Sequence, residues 1–450
     1  MEQKYFTTVP VPRAIIKFAV PTILSQLITL IYNLADTFFV GHTGDPNQVA
    51  ALTLCFPIFM LMTLVGNLTG IGANSLISRS MGREDKLTAA RASAFGFYGA
   101  ILLMLILIAV LRSCMTPILT AIGASEQTLG FADSYLTWTV VIGGLPTIVQ
   151  LMMGHLLRAE GNTRHAGIGM GLGGILNILL DPVFVFALDM GVAGAGMATA
   201  LSNTVSMGYM LLVLYCSRGS TVLTLSPKYL GWYPKIMKEV ILVGLPAAMV
   251  ILLGSSANMV LTRCMSAYGD TAVAAFGVVQ KIGTVTIQIT IGLTQGIMPL
   301  IGFNYAAGNG ARTRSIIRCS FLVLAVYTLC CMGVIELMPG QLMRAFIPEA
   351  QTVALGATFM RRWILCAPGM CLVMLFNSVF QAMGKWLQST VLSMLRQGIL
   401  LIPLLLILNR FMGMYGLVWS QPLADTAALI LGVVIYIRLM HSEEGKMLRG

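Results

Sequence analysis

Long apolar blocks, separated by short polar connections, follow one another along the whole chain. A helix that crosses a bilayer needs about 20 mostly apolar residues, and twelve blocks are long enough. The period-two alternation that marks a membrane strand does not appear. We therefore predict an all-α membrane protein with twelve transmembrane helices. The predicted spans are residues 14–40, 49–78, 89–111, 131–157, 165–187, 192–217, 235–262, 272–305, 314–338, 353–382, 387–408 and 414–440.

The second half of the chain repeats landmarks of the first half. Pro21 recurs as Pro246 at an offset of 225 (246 − 21), and Met190 recurs as Met412 at an offset of 222 (412 − 190). Offsets this constant indicate an internal duplication. The other repeated landmarks are Asn33, Gly44 and Asp45 with Asn258, Gly269 and Asp270, and Gly66, Gly70 and Gly82 with Gly292, Gly296 and Gly308.

The duplication divides the spans into two pseudo-symmetric six-helix bundles. We predict an amino-terminal lobe at residues 1–217, a cytoplasmic linker at 218–234 and a carboxy-terminal lobe at 235–450. Six spans return the chain to its starting side, so the repeats run parallel about an axis along the membrane normal. Such halves usually build a central site that opens alternately to each side of the membrane, which favours a transporter.

Composition and charge agree with a membrane protein. The chain is 57% hydrophobic and 10% charged, whereas soluble domains are about a quarter charged. Its net charge of +11 does not indicate nucleic-acid binding, because 20 Lys and Arg, including Lys446 and Arg449, lie on the side of the amino terminus and 6 on the other. By the positive-inside rule, both termini are cytoplasmic. The polar start Met1–Arg13 predicts no cleavable signal peptide.

Cysteine and histidine spacing suggests no metal site. The nine cysteines are scattered without a CxxC pair, which argues against a disulfide framework or a metal cluster. The four histidines are equally scattered, at positions 42, 155, 165 and 441. We expect a monomer in the lipid bilayer, without a cofactor, a nucleic-acid partner or enzymatic activity.

Two aspartates inside predicted spans form the main candidate site. An ionised side chain in hydrocarbon costs roughly 2.5–3.5 kcal/mol, so charges there are usually paired or functional. Counting about 1.5 Å per residue places Asp36, Asp181 and Thr199 at similar depth, with Asn177 one helical turn from Asp181. Neighbouring carboxylates do not both ionise cheaply, so this group needs a proton or a hard cation such as Na⁺. We predict a coupling site for H⁺ or Na⁺; the alternative is that each aspartate only hydrogen-bonds nearby backbone.

The other charges inside spans lie in the second half. Arg396 and Asp425 have equal depth and opposite sign, which predicts a structural ion pair. Lys281, beside Gln280, either positions substrate or extends toward a polar cavity. A proline in the first span of each repeat suggests a bend that matters mechanically. The residues predicted to line a substrate cleft or to take part in gating are Pro21, Asn33, Asn258, Gln280, Lys281 and Gln295.

Four motifs resemble the multidrug and toxic compound extrusion (MATE) family. They are NLADTFFVG at 33–41, NILLDP at 177–182, GVAGAG at 191–196 and QGIMPLIGFNY at 295–305. The resemblance covers about residues 10–440 and implies two six-helix bundles around a central cleft. It also implies that Asp36, Asn177, Asp181 and Thr199 form the cation site. One branch of the family carries further acids in spans seven and ten, where this chain has Asn258 and Asn377, so we expect the coupling site in the amino-terminal lobe alone.

The resemblance predicts a secondary active multidrug antiporter in the bacterial inner membrane. Such a protein exports organic, often cationic, drug-like compounds in exchange for protons or sodium ions and confers antibiotic resistance. The alternative is a flippase for lipid-linked precursors with similar architecture, but that function calls for a more cationic cleft than Lys281 and Arg396 supply. A receptor or channel is a third class, and neither requires duplicated halves.

Overall fold

The computed structural model describes residues 3–441 and is built from membrane-length helices. Eleven are continuous and one is a bent pair, which confirms the all-α prediction of twelve spans. The end of the predicted carboxy-terminal lobe, with Lys446 and Arg449, lies outside the described residues. In chain order the helices are α1 (Val11–Gly41), α2 (Pro46–Gly82), α3 (Lys86–Ala121), α4 (Glu126–Ile142 with Gly144–Ala159), α5 (Thr163–Ala187), α6 (Gly191–Cys216), α7 (Pro234–Ser266), α8 (Asp270–Ala306), α9 (Gly310–Leu337), α10 (Ala350–Ala382), α11 (Trp386–Met412) and α12 (Met414–His441). Short helices cover Gln3–Thr7, Pro227–Tyr229 and Pro339–Arg344.

Helix α4 bends by 51° at Gly143, a feature the hydrophobic pattern does not show. The segment Thr137–Ile142 is π-helical, and the Gly143 N–H donates to the Trp138 carbonyl, five residues back, at 2.9 Å. A side chain at Gly143 would overlap Ala200 of α6. The glycine therefore permits both the bend and the close approach of α4 to α6.

The chain between α6 and α7 is fastened to the amino-terminal lobe by Glu160. Its carboxylate accepts hydrogen bonds from the Thr221 hydroxyl at 2.6 Å and from the Val222 N–H at 2.8 Å. Burial raises the pKa of Glu160 above its usual range, and these two hydrogen bonds oppose that effect. We call the end of the bundle that carries this connection, the start of α1 and the end of α12 the linker end.

The amino-terminal segment packs on the opposite lobe. Phe6 lies in a core formed with residues of α8, α9 and α10. The Arg312 guanidinium of α9 donates to the carbonyls of Phe6 at 2.8 Å and Val9 at 2.7 Å, and the Asn304 amide of α8 also donates to Phe6 at 3.0 Å. The first residues of the chain therefore bridge the two lobes at the linker end.

Glycines bring the lobes into backbone contact near the linker end. A methyl group at Gly72 of α2 would overlap the carbonyl of Val240 in α7. One at Gly244 of α7 would overlap the carbonyl of Leu68 in α2. Between α8 and α1, Gly292 faces Ile23 and Gly296 faces Phe18 in the same manner. Both interfaces therefore tolerate nothing larger than glycine at these positions.

Polar contacts reinforce the same half of the molecule. Arg79 of α2 pairs with Glu239 of α7 at 2.5 Å, and the Ser75 hydroxyl donates to the Gln381 carbonyl of α10 at 2.5 Å. Farther from the linker end, the Gln26 amide lies 3.5 Å from the Gln295 amide oxygen. The lobes are thus sealed at the linker end, whereas polar side chains in the opposite halves of α1 and α7, such as Asn33 and Asn258, are exposed.

Replacing Gly244 with valine should open this seal, because the new side chain overlaps the Leu68 carbonyl. We expect spin labels at the exposed positions Arg83 and Lys238, in a cysteine-free background, to show an additional population with a longer distance between the two labels. Double electron–electron resonance measures this distance. Gly208→Val in α6, where no atom lies within 4 Å of the added carbon, is the matched control. An unchanged distance distribution in Gly244→Val would contradict the role given to this contact.

Candidate ion and substrate sites

Four predicted residues of the amino-terminal lobe meet in one buried group, which we call the acid cluster. It consists of Asp36 of α1, Asn177 and Asp181 of α5, and Thr199 of α6, each at most 6% exposed. The Asn177 amide donates to the Thr199 hydroxyl at 3.2 Å, and that hydroxyl donates to the Ala195 carbonyl at 3.0 Å. The Asp36 carboxyl faces both Asp181 and Asn177 closely enough to interact with them.

The acid cluster has more acceptors than donors. Oδ1 of Asp36, Oδ1 of Asn177 and both carboxylate oxygens of Asp181 are buried without a hydrogen-bond donor. Each unmet buried acceptor costs about 1–3 kcal/mol, and more if it is charged. A proton shared between the carboxyls would supply the missing donor, and a hard cation would suit the same carboxylate, amide and hydroxyl oxygens. The donor set therefore fits H⁺ or Na⁺.

Local sequence explains why these side chains converge. Asn177 and Asp181 are four residues apart and so share one face of α5. On that helix, a side chain at Gly174 would overlap Ile28 of α1, and one at Gly167 would overlap the Pro21 carbonyl. The absence of side chains lets α1 approach α5 closely along their length, which carries Asp36 to Asp181.

The cavity beside the acid cluster is small. Its volume is about 100 Å³. A water molecule takes about 30 Å³, so the space suits an ion with a few waters and is too small for a drug-sized molecule. Its polar lining residues include Tyr32, Asn33, Asp36, Thr37, Tyr135 and Thr199.

Pro21 lies inside α1 and leaves one backbone carbonyl of that helix without its usual donor. The residue that supplies a donor there was not among the predicted site residues. Proline has no N–H, so the carbonyl of Lys17, four residues earlier, loses its helical donor. The Thr163 hydroxyl, at the start of α5, donates to that carbonyl at 3.3 Å. Nothing in the local sequence distinguishes Thr163 from other helix-terminal threonines. The fold thus ties the weak point of α1 to α5.

The other residues predicted to line a substrate cleft lie in different parts of the molecule. The Gln280 amide donates to the Asn258 oxygen at 2.9 Å, and both residues line a cavity of about 310 Å³ that we call the carboxy-lobe cavity. Gln295 faces Gln26 across the sealed half, away from that cavity. Lys281 is exposed and is not among the residues that line the cavity.

Arg396 and Asp425 form a buried ion pair between α11 and α12. Nε of Arg396 donates to Oδ1 of Asp425 at 2.5 Å, and the Gln421 amide donates to Oδ2 at 2.9 Å. Both oxygens of this carboxylate therefore have donors, unlike those of the acid cluster. Arg396 lies in a π-helical turn, Leu395–Leu400, and lines the carboxy-lobe cavity.

One basic side chain that lies just outside a predicted span, which ended at residue 157, is buried. Arg158, in the last turn of α4, is 1% exposed and lies against Met170, with Nη1 at 3.3 Å from the thioether sulfur. Its Nη2 lies 3.4 Å from Nδ1 of His155, whose Nε2 lies 3.2 Å from the Asn67 amide oxygen. The last turn of α4 carries this arginine on its inward face. The pattern of charges along the chain did not predict this, because it does not determine which face of a helix a side chain occupies.

The fold and the acid cluster together define a class: a two-lobed, multi-pass membrane protein with a duplicated six-helix unit. The MatE family model matches the chain twice, at residues 21–183 and 246–407. The chain belongs to this family, and the two matches confirm the duplication.

Relatives and solved structures match along nearly the whole chain. The multidrug export protein MepA of Staphylococcus saprophyticus is 31% identical over 435 residues, covering 96% of this chain and 95% of that protein. MepA of Staphylococcus aureus is 29% identical with the same coverage. A crystal structure of MATE in complex with MaL6 superposes with a TM-score of 0.92 at 22% identity over 99% of both chains. One of MATE in the bent conformation gives 0.91 at 23%, over 100% of this chain and 99% of that one. These structures confirm the fold.

Removing one partner of the Arg396–Asp425 pair should destabilise the protein. Asp425→Asn leaves a buried guanidinium without its counter-charge, which costs about 3–5 kcal/mol. We expect a lower melting temperature in detergent for this variant. The double variant Arg396→Met with Asp425→Leu removes both charges and should recover most of the loss. A double variant as unstable as the single one would show that the ion pair does not account for the effect.

Proposed function

We propose that this protein is a secondary active multidrug antiporter that exports organic, often cationic, compounds in exchange for protons or sodium ions. The observation that carries the proposal is the acid cluster, in which four buried oxygens have no donor, in a fold sealed at one end. A permanent structural role would favour fixed donors, as Asp425 has. An exchangeable proton or cation would pair with the oxygens that lack donors when it is bound, and would leave them unpaired when it is released. The staphylococcal relatives named multidrug export proteins support the drug-like substrate class.

The mechanism follows from the position of the seal and the cluster. The lobes at residues 1–217 and 235–450 would rock about their pseudo-twofold axis, opening the linker end as the opposite end closes. Entry of the ion would neutralise Asp36 and Asp181 and draw α1 toward α5. Pro21 gives α1 a point where the helix can bend, and Thr163 holds the freed carbonyl there. The ion would thereby change the shape of the cleft without contacting the drug.

We further propose that both termini are cytoplasmic, so that the sealed linker end faces the cell interior. The distribution of 20 against 6 basic residues supports this orientation. Alkaline phosphatase, which is active only outside the cytoplasm, should be inactive when fused after His441 and active when fused after Ala267, between α7 and α8. The opposite activities would contradict the orientation.

Asp36→Asn and Asp181→Asn should each abolish gradient-driven efflux. An amide has nearly the shape of the carboxyl group but can neither release a proton nor supply charge to a cation. We expect the variants to reach the membrane, to lose drug resistance in an efflux-deficient bacterium, and to fall to the background of empty vesicles in ethidium transport. Imposing proton and sodium gradients separately on the wild-type protein identifies the ion.

The matched control is Asp189→Asn. This residue has the same side chain, belongs to the same lobe and is exposed between α5 and α6. Its positive φ of 53° is one that asparagine adopts readily. The control should transport at the wild-type rate. Wild-type efflux by Asp36→Asn or by Asp181→Asn would overturn the assignment of that residue to ion coupling.

A further inference from the structure

The chain between α6 and α7 forms one wall of a groove on the outside of the amino-terminal lobe. The groove has a volume of about 830 Å³ and lies between the last turns of α6 and residues 221–227. Leu211 and Leu212 line it on the side of α6, and Thr224 and Ser226 line it on the side of the linker. The groove therefore passes from an apolar region along the helix to a polar region at the linker.

The linker wall of this groove is held in place by the lobe behind it. The Ser93 hydroxyl of α3 donates to the Thr224 carbonyl at 3.1 Å, and the Thr224 N–H donates back to that hydroxyl at 3.3 Å. The Tyr98 hydroxyl donates to the Leu225 carbonyl at 2.8 Å. Glu160 binds the two residues at the start of the same wall. The groove is therefore formed before anything binds, which lowers the entropy cost of binding.

The helical side of the groove continues a stripe of α6 that faces the membrane. Leu201, Val205, Leu212 and Tyr215 lie on one face of the helix, and each is from 40% to 60% exposed. Because α6 is long enough to cross a bilayer, an exposed apolar stripe along it contacts acyl chains. The stripe reaches the linker at the end of the span, where hydrocarbon gives way to lipid head groups. A molecule in the groove therefore has an apolar chain at one end and a polar group at the other.

The polar end of the groove carries an arginine that has no carboxylate partner. Arg218 lines the groove, and its guanidinium lies over the Tyr215 ring at 4.3 Å from the ring centroid. Among residues 3–441 no carboxylate lies within ion-pair distance of this guanidinium. The Thr224 hydroxyl accepts from the Ser226 N–H at 3.1 Å, which leaves its own proton to donate elsewhere. A guanidinium beside a hydroxyl donor suits the oxygens of a phosphate group.

The linker beyond the groove has the composition of a segment at a membrane interface. Residues 218–238 contain four Lys or Arg and no Asp or Glu. Tyr229 and Trp232 are exposed, the latter by 82%. Trp and Tyr are enriched where a span meets the head groups, and basic clusters at that level attract anionic lipids. The charge of the segment therefore complements an anionic head group better than a zwitterionic one.

We propose that this groove binds an anionic glycerophospholipid of the surrounding bilayer. The phosphate contacts Arg218 and Thr224, and one acyl chain lies along Leu212 of α6. The lipid thereby attaches to the membrane the segment that joins the two lobes. The site lies apart from the acid cluster and from the carboxy-lobe cavity, and the inference does not depend on the proposed export function.

Native mass spectrometry of the purified protein in a non-ionic detergent tests the inference by titration with phosphatidylglycerol or with phosphatidylcholine of the same acyl chains. The first phosphatidylglycerol should bind about tenfold more tightly than the first phosphatidylcholine, because the basic linker repels choline. Arg218→Gln removes the charged donor and should weaken phosphatidylglycerol binding by about tenfold. Equal affinities of the wild-type protein for the two lipids, or an unchanged phosphatidylglycerol affinity in the variant, overturns the proposal.

The matched control is Arg83→Gln. Arg83 is an exposed arginine of the same lobe at the linker end, and it does not line the groove. This variant should bind phosphatidylglycerol as the wild type does, and an equal loss in both variants would overturn the site in favour of general attraction to surface charge. Soluble glycerol phosphate carries the phosphate without chains and should not displace the lipid at equal concentration. Displacement by it would contradict the place given to the acyl chain.

Photo-crosslinking of the wild-type protein keeps the test valid if Arg218→Gln does not fold. A trace of phosphatidylglycerol with a photoreactive acyl chain is added to the protein in phosphatidylcholine nanodiscs, and the labelled peptides are mapped by mass spectrometry. Residues 211–227 should carry more label than any other lipid-facing segment of the described chain. Even labelling of the lipid-facing helices, or a maximum on another helix, overturns the assignment of the site.

Discussion

The hydrocarbon interior of a bilayer supplies no hydrogen-bond partners, and this constraint shapes the whole molecule. Some hydroxyls inside the helices bond to a carbonyl one turn earlier: Thr22 donates to the Phe18 carbonyl at 3.1 Å and Thr290 to that of Thr286 at 2.9 Å. The buried carboxylate of Asp425 has a donor on each oxygen. Four oxygens of the acid cluster lack a donor, which is why the cluster is the candidate site for an exchangeable proton or cation.

Glycine packing shows how one duplicated framework serves two purposes. Gly66 and Gly70 of α2 admit side chains of α4, within their own lobe. Their repeats in α8, Gly292 and Gly296, instead admit the backbone of α1 from the opposite lobe. The duplicated glycines thus give dense packing inside one bundle and a close backbone contact between bundles. A sequence repeat preserves the small residue but not the partner, because the partner depends on how the two lobes are placed.

Hydropathy and depth along single helices predict much of this structure. Twelve spans follow from apolar length, and the convergence of Asp36 with Asp181 follows from equal depth. The bend at Gly143 does not, because glycine in a membrane helix serves close packing as often as bending. The inward position of Arg158 and the cavity beside Arg396 also escape prediction. Depth says how far along a helix a charge lies, whereas burial depends on the direction it faces and on distant helices.

The lobes meet the cost of buried carboxylates in opposite ways, and that difference bears on how coupling works. In the carboxy-terminal lobe the counter-charge of Asp425 is covalently part of the protein, so the local charge is the same in every state. In the amino-terminal lobe the counter-charge of Asp36 and Asp181 would be the transported ion, so the local charge changes once per cycle. Under the proposed function, an ion held inside one lobe would not share its ligands with a drug in the cleft between the lobes. Exchange would then be enforced by the shape of the molecule: the ion would bias the position of α1, and the seal between the lobes would transmit that bias to the cleft between them.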